Sequence, residues 1–377
     1  MRGKHSKSKK TVQEEEEIPR AFRKNNNNNE NKNAGKKKKN KGLKIFGKVV
    51  LVLVIILAVL LATVYWFIAN KLGKMQKVDL NEGELGISDQ ASDSLSGYRN
   101  IAIFGVDSRS DDYGIGNRSD CIIIASINNK TGEIKLISVY RDTYVNIEGH
   151  GLDKITHAYS YGEAPLAIKT LNENLDLNIK EFVTVNFDSV SDAVDQLGGV
   201  KLSVTSEEVK YINGYIDETS KVTGKTSEHI TQAGTYNLDG VQAVAYSRIR
   251  YTAGGDYKRT ERMRTVMEAM LAKLKTKSLT QINSFANVIL PKVYTNISSG
   301  DVISLVPNIA KYNIVESIGW PYETKGKTMG RWYGIPVTLE SNVVQLHKEA
   351  FGDTDYVASD KVKSTSTSII NKTGYTK

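Results

Sequence analysis

Residues 49–69 form an unbroken run of 21 residues without a charge, rich in Val, Leu and Ile, and no other feature limits the architecture as strongly. At about 1.5 Å per residue, a helix of this length reaches roughly 31 Å, the hydrocarbon thickness of a bilayer. A helix buried in a soluble protein would carry a polar face. A cleavable secretory core would be shorter and followed by small residues. Here the run ends in Trp66 and Phe67, then Asn70 and Lys71, like an interfacial belt. An uncleaved single-pass anchor is therefore expected. The fifteen residues before it contain seven Lys and the fifteen after it three. The more basic side stays cytoplasmic, which places 70–377 outside.

Charge divides along the same line. The chain carries +9 overall, but residues 1–48 hold 16 Lys or Arg against 5 Glu, a net of +11, leaving −2 for the rest. A slightly acidic main domain argues against nucleic acid as a partner. The tail, with runs of Glu at 14–17, Asn at 25–29 and Lys at 36–39, cannot bury enough apolar surface to fold and is expected to be disordered. Cys121 is the single cysteine, so no intramolecular disulfide forms. An exported domain without cysteine pairs suits a Gram-positive bacterium. Cys121 opens an apolar run and is expected to be a buried hydrophobe. None of the five His stands at metal-ligand spacing to another His or to the cysteine.

Beyond the anchor, 70–97 is polar and is expected to be a stalk, 98–351 the main folded domain, and 352–377 a loose polar tail. Within the domain, 100–106, 121–127 and 133–140 alternate or run apolar as strands do, and the last two are joined by Asn129, Lys130, Thr131 and Gly132, a hairpin signal. Ala164, Ile168, Leu171 and Leu175 recur at helical spacing, as do Val190, Ala193, Val194 and Leu197 before Gly198 and Gly199. Strands are expected at 182–187, 200–204 and 314–318. Helices are expected near 240–245, over 256–276, around 303–310 and, as the last, over 343–351. Interleaved strands, helices and hairpins predict an α/β fold with a mixed central sheet flanked by helices on both faces.

Acids and arginines gather where predicted elements end. Asp107 and Arg109 follow the first strand, Arg118 and Asp120 precede the second, and Arg141 and Asp142 close the third. Arg248 and Arg250 share a face only in extended chain, whereas Arg259 and Arg262 are neighbours on one helical face. Two cations in the first turns of a helix oppose its dipole by about 0.3–1 kcal/mol each. Two readings fit this choice: a bound anion, or a surface ion-pair network with Asp256 as N-cap. Asp107 likewise fits either a turn residue or, with Asp120, a Mg²⁺ site completed by substrate phosphates. There is no Walker phosphate loop, G-x-S-x-G elbow or H-E-x-x-H helix. His157 is expected to be a packing residue.

Taken in order, Gly105-Val106-Asp107-Ser108-Arg109, Arg118-Ser119-Asp120, Ser138-Val139-Tyr140-Arg141-Asp142-Thr143, Lys154-Ile155-Thr156-His157-Ala158-Tyr159, Arg248-Ile249-Arg250 and Asp256 with Arg259 and Arg262 resemble the LytR-CpsA-Psr family. The likeness covers roughly 98–275. It implies a membrane-anchored ligase of the Gram-positive cell envelope. Such a ligase moves a teichoic acid, capsular polysaccharide or similar glycopolymer from an undecaprenyl-pyrophosphate carrier to peptidoglycan, at the 6-hydroxyl of N-acetylmuramic acid. It further implies a hydrophobic cavity for the polyprenyl chain. Position by position, Asp107 and Asp120 match the family's magnesium acids (Mg²⁺ or Mn²⁺). Arg118, Arg141, Arg248, Arg250 and Arg259 match its pyrophosphate-binding arginines. Arg262 is counted with these as a substrate-binding residue, and Asp107, Arg141 and Asp256 are the catalytic candidates. One departure stands out: the family commonly has Gln after the second helical Arg, and this chain has Met263. The competing readings are a membrane-anchored regulator, a non-catalytic wall- or lipid-binding protein, and a polyprenyl-pyrophosphate pyrophosphatase. The first lacks any cytoplasmic segment with the apolar periodicity of a helix-turn-helix.

Overall fold

A computed structural model describes residues 76–108, 113–298, 301 and 306–376, together with Ile55 and Val59. The chain divides into two units, Met1–Leu60 and Leu61–Lys377, and every element below belongs to the second. Apart from Ile55 and Val59, both helical and exposed, the expected anchor at 49–69 lies outside the described residues, as does the basic tail at 1–48. Among the described residues no helix is long and apolar enough to cross a membrane.

In chain order the elements are β1 (Gln76–Lys77), α1 (Asp89–Ser94), β2 (Tyr98–Val106), β3 (Ser119–Asn128), β4 (Glu133–Val139), β5 (Tyr144–Ile147), β6 (Gly151–Lys154), α2 (Thr156–Leu175), β7 (Glu181–Val185) and α3 (Phe187–Gln196). There follow β8 (Val200–Val204), α4 (Ser206–Thr223), β9 (Gly234–Leu238), α5 (Gly240–Arg248), α6 (Gly255–Lys275), α7 (Leu279–Ile289), β10 (Tyr294–Thr295), β11 (Asn313–Trp320), β12 (Thr324–Met329), β13 (Arg331–Pro336), α8 (Leu339–Phe351) and α9 (Asp360–Thr373). Seven strands form one mixed sheet in the order β1-β10-β7-β2-β3-β4-β11. The hairpin-linked strands β2, β3 and β4 are antiparallel, while β7 runs parallel to β2 and β11 parallel to β4. At the edge β1 is parallel to β10. All three parallel pairings need long crossovers, and α2 lies in the one from β2 to β7.

The period of two along the strands decides which face each side chain joins. Ala102, Phe104 and Val106 meet Ile122, Ile124 and Ile137 in a core roofed by α2, α8 and α9. Ile101, Ile123, Ile127 and Leu136 point the other way, against Met263, Met267 and Leu271 of α6. The predicted mixed sheet with helices on both faces is thus present. A further core lies among α3, α4, α5 and the β8–β9 ribbon, around Val194, Leu202, Ile212, Ile216 and Leu238. The strand expected at 200–204 therefore belongs to this ribbon and not to the main sheet.

Several boundaries differ from the sequence reading. The expected stalk is folded from residue 76: β1 extends the sheet edge, and Leu85, Ala91 and Leu95 are buried. The expected loose tail contains α9, whose Val362, Thr365, Ser366, Ile369 and Thr373 are buried at helical spacing. Its stripe is made mostly of hydroxyl residues, which hid it. The tail is tied down by Asp176, which accepts from the Ser359 N–H at 2.8 Å and the Ser359 hydroxyl at 2.6 Å. The helix expected as the last, 343–351, begins earlier as α8 and is followed by α9. Of the helix expected at 303–310, residues 302–305 lie outside the described ones, and Val306–Lys311 is a 3-10 turn. In α6 the N-cap is Gly254, at φ +90, not Asp256.

Candidate active site

Antiparallel pairing explains why residues far apart in sequence meet. Val106 at the end of β2 pairs with Ser119 at the start of β3, so Asp107 emerges beside Arg118 and Asp120. Ser138 of β4 pairs with Ile123, which brings Arg141, just past β4, to the same end of the sheet. The loop after α5 and the first turns of α6 deliver Arg250, Asp256 and Arg259 to that end.

There the charged groups interlock. Arg141 Nη1 donates to Asp120 Oδ1 at 2.7 Å, and Arg250 Nη2 reaches Asp120 Oδ2 at 3.5 Å. Arg259 Nη2 donates to the Asp120 carbonyl oxygen at 3.1 Å and lies 3.0 Å from Asp256 Oδ1. Asp256 is also within 3.7 Å of Arg141 and 3.9 Å of Arg250. Burial pushes the Asp120 carboxyl up, but Arg141, Arg259 and Arg250 outweigh it and hold the group below the ordinary carboxylate value. Burial likewise presses Arg259 down, opposed by Asp256. The Nε atoms of Arg141 and Arg259 are buried donors without a hydrogen-bond acceptor among the described residues. Such orphaned donors are costly unless something accepts from them.

These groups form the polar end of a cavity of about 960 Å³, which Asp107, Arg118, Asp120, Arg141, Arg248, Arg250 and Arg259 all line. Most of the remaining wall is apolar, with Ile103 of β2, Val183 and Val185 of β7, Val190 of α3, Met267 and Met270 of α6, and Phe285 and Ile289 of α7, although Asn186, Ser189, Lys210, Glu218 and Ser247 also line it. Arg248 stands slightly apart: its guanidinium lies 4.7 Å from the Phe187 ring centroid and donates to Thr219 Oγ1 at 3.0 Å and Glu218 Oε2 at 3.1 Å. Arg118 and Asp107 are exposed, and no described residue forms a hydrogen bond or ion pair with the Asp107 carboxylate. Arg109 is outside the described residues. Among the described residues no group of three or more acids, His or Cys is arranged to hold a metal by itself. Asp107 and Asp120 both line the cavity, and two carboxylates are a donor set that would suit Mg²⁺ once substrate phosphates supplied further oxygens.

Arg262 corrects an expectation. Its side chain is buried away from the cavity, with Nε on Glu208 at 2.7 Å, Nη1 on the Ile249 carbonyl at 3.0 Å and Nη2 on Thr252 Oγ1 at 2.7 Å. All three guanidinium nitrogens are engaged within the protein, and the side chain does not line the cavity, so it is not placed to meet a substrate there. His157 fits the packing role expected of it, whereas Cys121, expected to be buried, is half-buried and lines the cavity. Burial pushes the Cys121 thiol up to about 12, and His157 Nδ1 is paired with Asp153 at 2.8 Å, outside the cavity. Sequence reasoning missed Tyr211 and Tyr215 of α4, which line the cavity. The Thr205-x-x-Glu208 capping box was the signal that a helix begins there.

Comparison with known proteins agrees with this geometry. The sequence profile of the LytR_cpsA_psr family matches residues 63–349. The polyisoprenyl-teichoic acid–peptidoglycan teichoic acid transferase TagT of Bacillus subtilis (strain 168) is 35% identical over 271 residues, 68% of this chain and 79% of that protein. The transferase TagU of Enterococcus faecalis is 29% identical over 269 residues, 70% of this chain and 82% of that protein. Among solved structures, TagT bound to LIIa-WTA superposes with a TM-score of 0.53 at 28% identity, over 79% of this chain and 99% of the other. TagT with bound octaprenyl pyrophosphate lipid superposes with a TM-score of 0.50 at 27% identity, over 79% and 99% of the two chains. A profile match over most of the length, together with a relative this similar, shows that the chain belongs to the LytR-CpsA-Psr family.

Proposed function

We propose that this chain is a phosphotransferase that attaches an anionic glycopolymer, carried on undecaprenyl pyrophosphate, to N-acetylmuramic acid of peptidoglycan. One observation carries the reading: a largely apolar cavity ends in a cluster of arginines, two of which keep a buried Nε without an acceptor. A polyprenyl pyrophosphate has the matching form, a long hydrocarbon chain ending in concentrated negative charge. The cavity volume falls near the upper end of the roughly 300–1,000 Å³ usual for ligand sites. TagT has been solved with octaprenyl pyrophosphate, which supports the same class of ligand here. Met263, where relatives commonly have Gln, extends the apolar wall.

In this proposal Arg141, Arg250 and Arg259 grip the pyrophosphate, with Arg118 and Arg248 at its flanks. Asp107 and Asp120 would hold Mg²⁺ or Mn²⁺, which would supply neutralisation of phosphate charge. The acceptor hydroxyl oxygen attacks the sugar-linked phosphorus, forming a P–O bond. The bond to the bridging oxygen breaks, and undecaprenyl phosphate leaves with that oxygen. The hydroxyl proton passes to Asp107 or to water beside it. Asp256 keeps Arg259 and Arg141 oriented. Rate enhancement comes from positioning and from charge stabilisation by guanidiniums held in place by Asp120 and Asp256.

The same proposal makes 49–69 a single membrane anchor, with the basic tail in the cytoplasm and 70–377 outside the cell membrane of a Gram-positive bacterium. The asymmetry of seven lysines against three supports it. The folded domain is then 76–376, wider at both ends than the sequence boundaries of 98–351. The test uses the full-length chain in detergent with a labelled lipid-pyrophosphate oligosaccharide, a peptidoglycan glycan chain and Mg²⁺. Label joined to the glycan is the expected result. Release of lipid phosphate with no label on the glycan would reduce the protein to a pyrophosphatase.

A further inference from the structure

The β12–β13 hairpin is absorbed by none of the foregoing, yet it borders the reaction centre. Gly334 N–H donates to the Asp142 carbonyl at 2.9 Å, and Thr143 bridges to Gly334. Arg141 is therefore one residue from the strand that fastens the hairpin in place.

The two faces of this hairpin differ. Met329, Tyr333 and Ile335 belong to the main core. The opposite face carries Thr324, Gly326, Thr328, Trp332 and Gly334, since cross-strand pairs share a face and Thr328 pairs with Trp332, Gly326 with Gly334. Trp332 is 46% exposed. A Cβ added to Gly326 would come within 2.8 Å of the indole Nε1, and one added to Gly334 would lie 3.6 Å from Cη2 and 3.7 Å from the Asp142 carbonyl oxygen. The indole thus lies flat across two glycines, its tip beside Asp142. Any side chain at Gly326 would lift it. On the same face, Thr324 Oγ1 is 2.8 Å from the Tyr257 hydroxyl. Tyr257 is 41% exposed and follows Asp256 directly, its ring packed edge-on against Tyr140 at 4.4 Å. Two exposed aromatic rings are therefore held on a shelf of glycines and threonines that starts at the arginine cluster and runs outward.

We propose that this shelf binds the sugar chain of the acceptor, with Trp332 and Tyr257 stacking on pyranose rings and the threonine hydroxyls bonding their polar rims. The inference rests on the transferase reading above and adds where the acceptor lies. Sugar rings present flat C–H faces edged with hydroxyls, and a rigid exposed aromatic ring on a polar floor matches both. A lipid chain or protein partner would call for a continuous apolar patch, whereas glycines and threonines separate these rings. Continuity with the centre is the second argument, because an acceptor hydroxyl must reach the phosphorus held by Arg141 and Arg259.

Tryptophan content supplies a direct probe. Of the three tryptophans, Trp66 falls in the expected anchor and Trp320 is fully buried, so acrylamide quenching of the folded domain reports on Trp332. Full-length protein in detergent is titrated with a soluble glycan chain of alternating N-acetylglucosamine and N-acetylmuramic acid. The glycan is expected to shield the indole in the wild type. In transfer assays W332A is expected to raise the acceptor KM roughly tenfold, with the donor KM unmoved and W332F recovering part of the loss. Shielding without transfer would leave the shelf standing and sink the transferase reading. Transfer with neither shielding nor a change in acceptor KM would sink the shelf alone. The quenching measurement needs no variant, so a W332A that misfolds does not rescue the idea.

Discussion

Arg259 and Arg262 stand three residues apart on one face of the same helix, and the chain uses them in opposite ways. Arg259 is 2% exposed and lines the cavity, shares Asp256 with two other arginines, and keeps its Nε without an acceptor. Arg262 is 6% exposed and closed upon Glu208, Ile249 and Thr252. Burial is alike; satisfaction is not. A buried donor left without an acceptor points to a ligand only where it also lines the cavity, as in Arg259; the Nε of Arg264 is likewise unsatisfied but lies outside the cavity lining. The acids divide in the same way: Glu208 is spent on one partner and on the Thr205 cap, while Asp120 holds several guanidiniums and still faces the cavity.

The largest effect that would break this contrast is on stability. Replacing Arg262 by Ala leaves Glu208 as an uncompensated buried charge, at a cost of about 3–5 kcal/mol. Urea unfolding of R262A should show this, and the double variant R262M/E208L should restore most of it. A loss under 1 kcal/mol in R262A would mean that the pair is not structural.

Next in size is Arg141→Ala. Removing one preorganised donor aimed at developing charge costs about 10²–10³ in turnover, or ~2.7–4 kcal/mol. The far-UV spectrum of R141A should match the wild type while transfer of a labelled donor falls by that factor. Undiminished transfer would take Arg141 out of the mechanism.

The contrast was only half legible in the sequence. The strands of the main sheet followed from alternation, and the gathering of acids and arginines at element ends was visible. That Asp107, Asp120 and Arg141 share one end of the sheet needed the register, in which antiparallel neighbours place the ends of β2 and β4 beside the start of β3. Spacing could say that Arg259 and Arg262 share a helical face, but not that a second helix would present Glu208 to one of them. That helix, α4, buries only a narrow stripe, Ile212, Ile216 and Thr219 with Glu208, so its apolar period was faint and only its capping box was visible. The same faintness hid α9. The β12–β13 hairpin was missed for a different reason: apart from Trp332 its outward face is mostly glycine and threonine, with no clear alternation to read.

A smaller effect separates the two acids by pH. The Asp120 carboxyl is held below its ordinary value of 3.8 in the folded chain. It therefore contributes stability that is fully present above about pH 4 and is lost as pH falls through the depressed folded value. At pH 7, D120N should be less stable by about 1.5–3 kcal/mol, the worth of a hydrogen bond to a charged group. Below pH 4 the wild type should approach the variant. A stability difference that does not shrink on acidification would place the effect in packing and not in charge.

The finest test exchanges shape while keeping charge. Lysine supplies one compact cation, whereas Arg259 uses one nitrogen for both the Asp120 carbonyl and Asp256 and still has Nε free. In R259K the ammonium can satisfy the acids but has no second, rigidly placed donor for a phosphate oxygen, so transfer should drop about tenfold, ~1.4 kcal/mol. In R262K the lost contacts are the Ile249 carbonyl and Thr252, neither of which meets substrate, so the unfolding midpoint should fall while turnover of the folded fraction holds. Measured side by side, the pair of lysine variants should exchange their penalties, one in rate and one in stability. If R262K loses more turnover per folded molecule than R259K, then the unfinished guanidinium is not the one the substrate uses, and the reading of buried satisfaction as a guide to function fails at the place where it is most specific.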